Sequence, residues 1–206
     1  MANCTGTDML FEALELSGAA LVKMERHTDE RGFFARSVCV EEFRAHGLPA
    51  EFVQSSVSWN RRRGTVRGMH FQWPPSREGK LVRCLRGAIH DVLLDLRPTE
   101  PTYLRYRALV LDQENRDAVF IPSGVAHGFQ TLADDCEVLY QMTDVHAPAL
   151  AAGLRWNDPA FGIGWPITAG IAVAERDASY ADFDRRGFEA QLAQCTARSG
   201  ARAGWT

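Results

Sequence analysis

Between residues 51 and 144 short apolar runs follow one another, with turn signals between them and little room for helix. The runs are Glu51–Asn60, Thr65–Trp73, Lys80–Leu85, Ala88–Leu96, Leu104–Leu111, Ala118–Ile121 and Glu137–Asp144. Arg63-Gly64, Pro74-Pro75, Arg86-Gly87, Arg97-Pro98, Asp112 to Asn115 and Asp134-Asp135 separate them. β-branched and aromatic side chains suit a pleated surface, while Gly, Pro, Asn and Asp suit tight reversals. The pattern predicts an all-β sandwich or barrel. A few short helices are expected, two of them placed by the sequence. One is short, from Glu41 to Gly47, and ends at Gly47 and Pro49; the other is amphipathic, from about Tyr180 to Ser199, with Phe183, Phe188 and Leu192 packing inward. A chain of 206 residues is long enough for one good-sized core, so one domain over 1–206 is expected.

Alternation assigns faces. Val138, Tyr140 and Met142 lie together on one strand. In Ala88–Leu96, His90, Val92, Leu94 and Leu96 share one face, and Asp91, Leu93 and Asp95 the other. Two acids among apolar residues predict a half-exposed strand there. The segment Gly64-Thr-Val-Arg-Gly-Met-His70-Phe-Gln72, followed by Lys80, carries the most chemistry. His70 and Gln72 share a strand face, and Gln54, Ser56 and Ser58 form another. Polar strand faces in an otherwise apolar chain predict a pocket. A neutral imidazole beside a cation can take a proton from a carbon acid while the cation holds the developing oxyanion.

Other classes fit poorly. A net charge of −3 argues against a nucleic-acid surface, and Arg61-Arg62-Arg63 reads as a solvated turn tip. No apolar stretch approaches a membrane span, and residues 1–22 show no secretion signal. Cys4, Cys39, Cys84, Cys136 and Cys195 are scattered, which suits reduced thiols in a cytoplasm. There is no Gly-x-Ser-x-Gly elbow and no glycine-rich phosphate loop.

Ile121-Pro122-Ser-Gly124-Val-Ala-His127-Gly128 resembles the second motif of the cupin superfamily, whose histidine binds metal in the metal-dependent members. The partner motif there supplies His-x-His and a later Glu. Here the run is His70-Phe71-Gln72, and Glu78 lies on a Pro-flanked loop. Two histidines are a thin site for zinc or iron, so neither a metal nor another cofactor is expected.

Further motifs share one order with a metal-independent cupin branch. They are Asp29-Glu30-Arg31-Gly32-Phe33-Phe34, Phe52-Val53-Gln54, Val66-Arg67-Gly68-Met69-His70-Phe71-Gln72 and Gly79-Lys80-Leu81-Val82-Arg83-Cys84. Asp91-Val92, Asp95-Leu96-Arg97, Ile121-Pro122 to His127-Gly128-Phe129, and Trp156-Asn157-Asp158-Pro159 to Trp165-Pro166 complete the series. Over about residues 25–180 the chain resembles the dTDP-4-dehydrorhamnose 3,5-epimerase family, leaving a helical tail at about 180–206. The resemblance implies a cupin-type jelly roll and a homodimer. It implies a nucleotide-diphosphate 4-keto-6-deoxyhexose as substrate, epimerised at C3, C5 or both. By the same resemblance His70 is the base, Asp177 orients it, Lys80 stabilises the enolate, and Tyr140 is the acid on the opposite face. Arg67 matches a diphosphate contact, and Gln72 matches a substrate contact. Arg31 and Phe33 match the segment lent to the neighbouring subunit's pocket. His127 reads equally as a pocket residue or a structural hydrogen-bonder, and Trp156 and Trp165 as packing residues.

The chain departs from the family pattern at nucleotide-handling positions. Arg36 stands where an acid is common, Ser56 where an amide is, and Val145-His146 where paired tyrosines are. With Gln54, these positions imply contacts to the nucleotide. A cation in place of an acceptor reverses what a position can read, so CDP and GDP stand beside dTDP as expectations. A single-centre epimerase, a metal-dependent cupin and a non-catalytic sugar-nucleotide binder are the competing readings.

Overall fold

A computed structural model describes residues 9–199 and Trp205. Cys4, the start of the 1–22 stretch and the rest of the tail beyond residue 199 lie outside the described residues. The strands are β1 (Leu10–Ala13), β2 (Ala20–Lys23), β3 (His27–Asp29), β4 (Gly32–Phe34), β5 (Gln54–Asn60), β6 (Thr65–Gln72), β7 (Lys80–Arg86), β8 (Ala88–Asp95), β9 (Tyr106–Asp112), β10 (Ala118–Ile121), β11 (Val125–Thr131), β12 (Cys136–Met142), β13 (Ala151–Gly153) and β14 (Ala172–Val173). The helices are α1 (Val40–Ala45), α2 (Glu175–Ala178) and α3 (Arg185–Ser199).

Two sheets face each other. One runs β1-β2-β10-β7-β12-β5; the other runs β13-β6-β11-β8-β9, with β14 parallel to β6, and β3-β4 is a separate hairpin. Between the sheets Val82, Val119, Ile121 and Val138 pack on Ile89, Leu93, Leu111 and Phe129. The outer faces are covered too. Phe43 and Leu48, from α1 and the loop after it, close over Val22, Leu81 and Phe120 on the first sheet. Phe161, Trp165, Phe188, Leu192 and Trp205 close over Val66, Phe71, Val92 and Leu94 on the second.

This C-terminal cover corrects the reading of β8 as half-exposed. Asp91 and Asp95 are both fully buried. Each is paired: Asp91 with His127 at 2.7 Å, and Asp95 with Arg97 through two N–H donors at 2.8 and 2.7 Å. Thr102 also donates to Asp95. Strand β11, which no alternating run announces, is buried throughout because it lies between β6 and β8 under the same cover. The Gln130 amide pins that cover to β11 by exchanging two hydrogen bonds at 2.9 Å with the Ile167 backbone. The expected tail helix exists as α3 and buries Phe188 and Leu192; Phe183 packs on the same cluster from the loop before it.

The β6–β11 ladder holds the irregularity that shapes the site. His70 pairs with His127 and Arg67 with Phe129, so β6 carries one residue more than β11 in between. This bulge sets Arg67 and His70 on the same side although strict alternation would oppose them. Gly68 takes φ +129° there, and a Cβ on it would lie 2.5 Å from the Gly128 Cα and 2.9 Å from the His127 carbonyl oxygen. Gly68→Ala should therefore force the strands apart. We expect a loss of about 3 kcal/mol or more, seen as a Tm about 6–12 °C lower in a thermal melt.

Candidate active site

A cavity of about 440 Å³ opens between the sheets. The second sheet supplies Arg67, His70 and Gln72 from β6, and His127 and Phe129 from β11. The first supplies Gln54, Ser56 and Ser58 from β5, Lys80 from β7, and Tyr140 and Met142 from β12. The two polar faces read from the sequence thus meet as opposite walls. Tyr140 pairs directly with Ser56, and Met142 with Lys80, which keeps these side chains on the inner face.

His70 meets Asp177, from α2, at 2.8 Å through Nε2. A carboxylate only accepts, so Nε2 carries the proton and the lone pair lies on Nδ1. Asp177 is buried, and its second oxygen accepts the Gly68 N–H at 3.2 Å. The bulge therefore holds the carboxylate that holds the imidazole. Burial pushes the His70 pKa below its ordinary 6.5; the Asp177 hydrogen bond and charge oppose this, while Lys80 and Arg176 add to it. The ring is neutral at pH 7 and able to accept a proton. Across the cavity, burial raises the Tyr140 phenol above its ordinary value; the Ser58 hydrogen bond opposes it in part, the Asp91 charge adds to it, and Arg67 opposes it least. It stays protonated and able to donate.

The remaining side chains have defined anchors. Arg67 donates from Nε to Asn60 at 2.7 Å, and Asn60 is buried. The Gln54 oxygen accepts the His146 N–H at 3.0 Å, placing that ring at the exposed mouth. His127, beneath Tyr140 with ring centroids 6.0 Å apart, both lines the cavity and is tied to Asp91. Its two alternative roles are thus combined. Gln72 lines the cavity, but its amide is engaged on both sides, accepting from the Ala147 N–H and donating to Glu78. Among the described residues no group of three or more His, Cys, Asp or Glu side chains could hold a metal ion.

Arg31, Phe33 and Arg36 do not reach this cavity within their own chain. Arg31 pairs with Asp29 on the β3–β4 hairpin, and Phe33 lies exposed beneath Arg26 and Arg116. Arg36 donates to Glu42 at 2.6 Å. Three cavity-side groups escape the sequence-based site: Glu78, Arg176 and, behind His127, Asp91. Glu78 stands two residues before Lys80, a same-face spacing that could have drawn it in. Asp91 shares the inward parity of Leu93. Arg176 carries no signal except adjacency to Asp177.

The model of the dTDP-4-dehydrorhamnose 3,5-epimerase family matches residues 13–185. The chain belongs to this family. A relative so named from Methanothermobacter thermautotrophicus is 40% identical over 172 residues, covering 82% of this chain and 92% of its own. The solved epimerase of Bacillus anthracis, with TDP and pyrophosphate bound, superposes with a TM-score of 0.82 at 33% identity, covering 85% of this chain and all of that one. An epimerase of Legionella pneumophila in complex with dTDP-4-keto-L-rhamnose gives 0.82 at 29%, covering 90% and 97%. The chain is therefore an isomerase with the cupin-type jelly roll of its family.

With His70 proposed as the base, neutral imidazole would be the active form, so activity should hold above its pKa and be lost as pH falls through it. This acidic limb in kcat/KM should lie below pH 6.5. Asp177→Asn removes the interactions that raise this pKa, so the limb should move lower still. The same change disturbs the tautomer and should reduce kcat about 10²–10⁴-fold.

Proposed function

We propose that the chain inverts C3 and C5 of a dTDP-linked 4-keto-6-deoxyhexose in deoxysugar biosynthesis. One observation carries the reading: a base and an acid stand on opposite sheets across one cavity, His70 on β6 and Tyr140 on β12. Both carbons flank the C4 ketone, which acidifies their protons. His70 Nδ1 takes the proton, the negative charge moves to the C4 oxygen, and the Lys80 ammonium stabilises it. Tyr140 returns a proton from the other face, which inverts the centre. Positioned acid–base catalysis supplies roughly 10²–10⁴-fold. One well-placed oxyanion donor adds about 3–4 kcal/mol.

The thymidine nucleotide is supported by the named relatives and by the dTDP-linked sugar bound in the Legionella enzyme. In this reading Arg67 takes the diphosphate, and Gln54, Ser56 and the His146 ring, which line the same cavity, take the nucleotide. The Arg36 guanidinium, the strongest departure from the family pattern, is matched by Glu42 and so adds no unpaired charge.

A homodimer is part of the same reading. Strand β5 ends its sheet and exposes Val57 and Trp59, and Val53 is exposed just before it. The β3–β4 hairpin exposes Phe33 and Phe34 beside Arg31. A second copy would cover these apolar residues and receive Arg31 and Phe33 at its cavity. The free thiols of Cys39, Cys84, Cys136 and Cys195 support a reducing, cytoplasmic setting. No helix among the described residues is long and apolar enough to cross a membrane.

Incubation in D₂O with dTDP-, CDP- and GDP-linked 4-keto-6-deoxyhexoses tests the reaction and the nucleotide together. The dTDP sugar should gain deuterium at both C3 and C5, fastest of the three. Label at one carbon alone would identify a single-centre enzyme, and no label on any of them would refute the epimerase reading. His70→Ala should abolish exchange. Tyr140→Phe should keep some exchange yet yield little inverted product, and Lys80→Met should be nearly as damaging as His70→Ala. For the dimer, Val57→Asp with Trp59→Glu should halve the mass measured by analytical ultracentrifugation. An unchanged mass would place the interface elsewhere.

A further inference from the structure

Lys80 begins β7, and its ammonium lies in the cavity wall with a carboxylate against it. Glu78 Oε1 accepts from Lys80 Nζ at 2.8 Å, with the two side chains only 7% and 16% exposed. Such a pair differs from a solvated surface bridge, because little water competes for either partner. Glu78 is held in turn: its other oxygen accepts from Gln72 Nε2. Gln72 cannot turn its amide over, because Oε1 accepts the Ala147 backbone N–H at 2.8 Å. A fixed backbone donor thus orients an amide, the amide a carboxylate, and the carboxylate an ammonium. Gln72 is two residues from His70 on β6, so the strand that carries the base also registers the cation.

A lysine stem is long and flexible, and it gives up much rotamer freedom when held in one place. Left alone in a cavity it would sample many positions, and only one suits a charge developing on a ketone oxygen. Glu78 uses one of three ammonium donors and leaves the others for that oxygen. We propose that Glu78 is a positioning residue for Lys80, its own place relayed from Ala147 through Gln72. Resting on the proposed epimerase reaction, this assigns a function to a carboxylate that would otherwise only repel a negatively charged substrate. It also gives Gln72 a role apart from substrate contact.

The chain Ala147–Gln72–Glu78–Lys80 works through donor and acceptor order, which the test exploits. Glu78→Gln keeps the volume but must set an NH₂ against either Gln72 Nε2 or the Lys80 ammonium. Exchanging the pair, Gln72→Glu with Glu78→Gln, restores every donor to an acceptor. Deuterium exchange and product formation on the dTDP-linked sugar are measured for wild type, Glu78→Gln, Glu78→Asp and the exchanged pair. Thermal melts verify that each variant is folded. We expect Glu78→Gln to lower kcat by about 10–100-fold with KM within about threefold. Glu78→Asp keeps the charge one methylene short and should fall in between. The exchanged pair should recover most of the loss. With its counter-charge gone, the Lys80 ammonium acts more strongly on His70, so the acidic limb in Glu78→Gln should move to lower pH. Wild-type turnover in both single variants overturns the proposal. So does a loss confined to KM, or an exchanged pair no better than Glu78→Gln. Failure of wild type itself to exchange would instead strike the epimerase reading, and the proposal with it.

Discussion

Strands β6 and β11 approach so closely at Gly68 and Gly128 that neither position has room for a Cβ, and much of the site follows from that contact. The extra residue it accommodates turns Arg67 to the same side as His70. It also directs the Gly68 N–H at Asp177, whose carboxylate fixes the tautomer of His70. A backbone constraint, with no side chain of its own, thus sets the orientation of His70 and of Arg67. Bulges commonly re-aim a side chain next to an active site.

Around this contact the protein buries four carboxylates, each against a nitrogen partner. His70–Asp177, His127–Asp91, Lys80–Glu78 and Arg97–Asp95 are each joined at 2.7–2.8 Å. Such pairs add little net stability, since desolvation offsets most of the attraction. What they provide is fixed geometry. Three of the four line or back the cavity; the Arg97 pair tethers the loop after β8 and reaches the Ser17 carbonyl as well. The cavity combines a neutral base, a protonated phenol and a cation, whose environments shift the first two in useful directions without a metal ion in the proposed chemistry.

Much of the fold was legible because half the strands carry plain signals. The runs at Thr65, Lys80, Ala88 and Ala118 became strands close to where the pattern put them. Strand β11 was not legible as a strand: Val-Ala-His-Gly-Phe-Gln-Thr has no alternation, because both of its faces are buried. The two acids misled the reading of β8, because their face is the inward one that Leu93 shares. Asp91 and Asp95 look solvent-facing in one dimension, yet they are buried because His127 and Arg97, both distant or turned back along the chain, satisfy them. Arg67 could be assigned to the site only by resemblance, since alternation places it on the wrong face until the bulge is known.

The sequence by itself determined the class of fold, the polar strand faces, and the order of motifs that marks the epimerase family. These are local properties: side-chain period, turn chemistry and residue type are all written within a few positions. Tertiary structure alone decided which groups meet. It joined Asp177 to His70 across 107 residues, set Tyr140 on the sheet opposite His70, and kept Arg31, Phe33 and Arg36 out of their own chain's cavity. It also brought the loop residue Glu78 between Gln72 and Lys80. Such contacts depend on register and on backbone approach between strands far apart in the chain, and no short-range pattern encodes either.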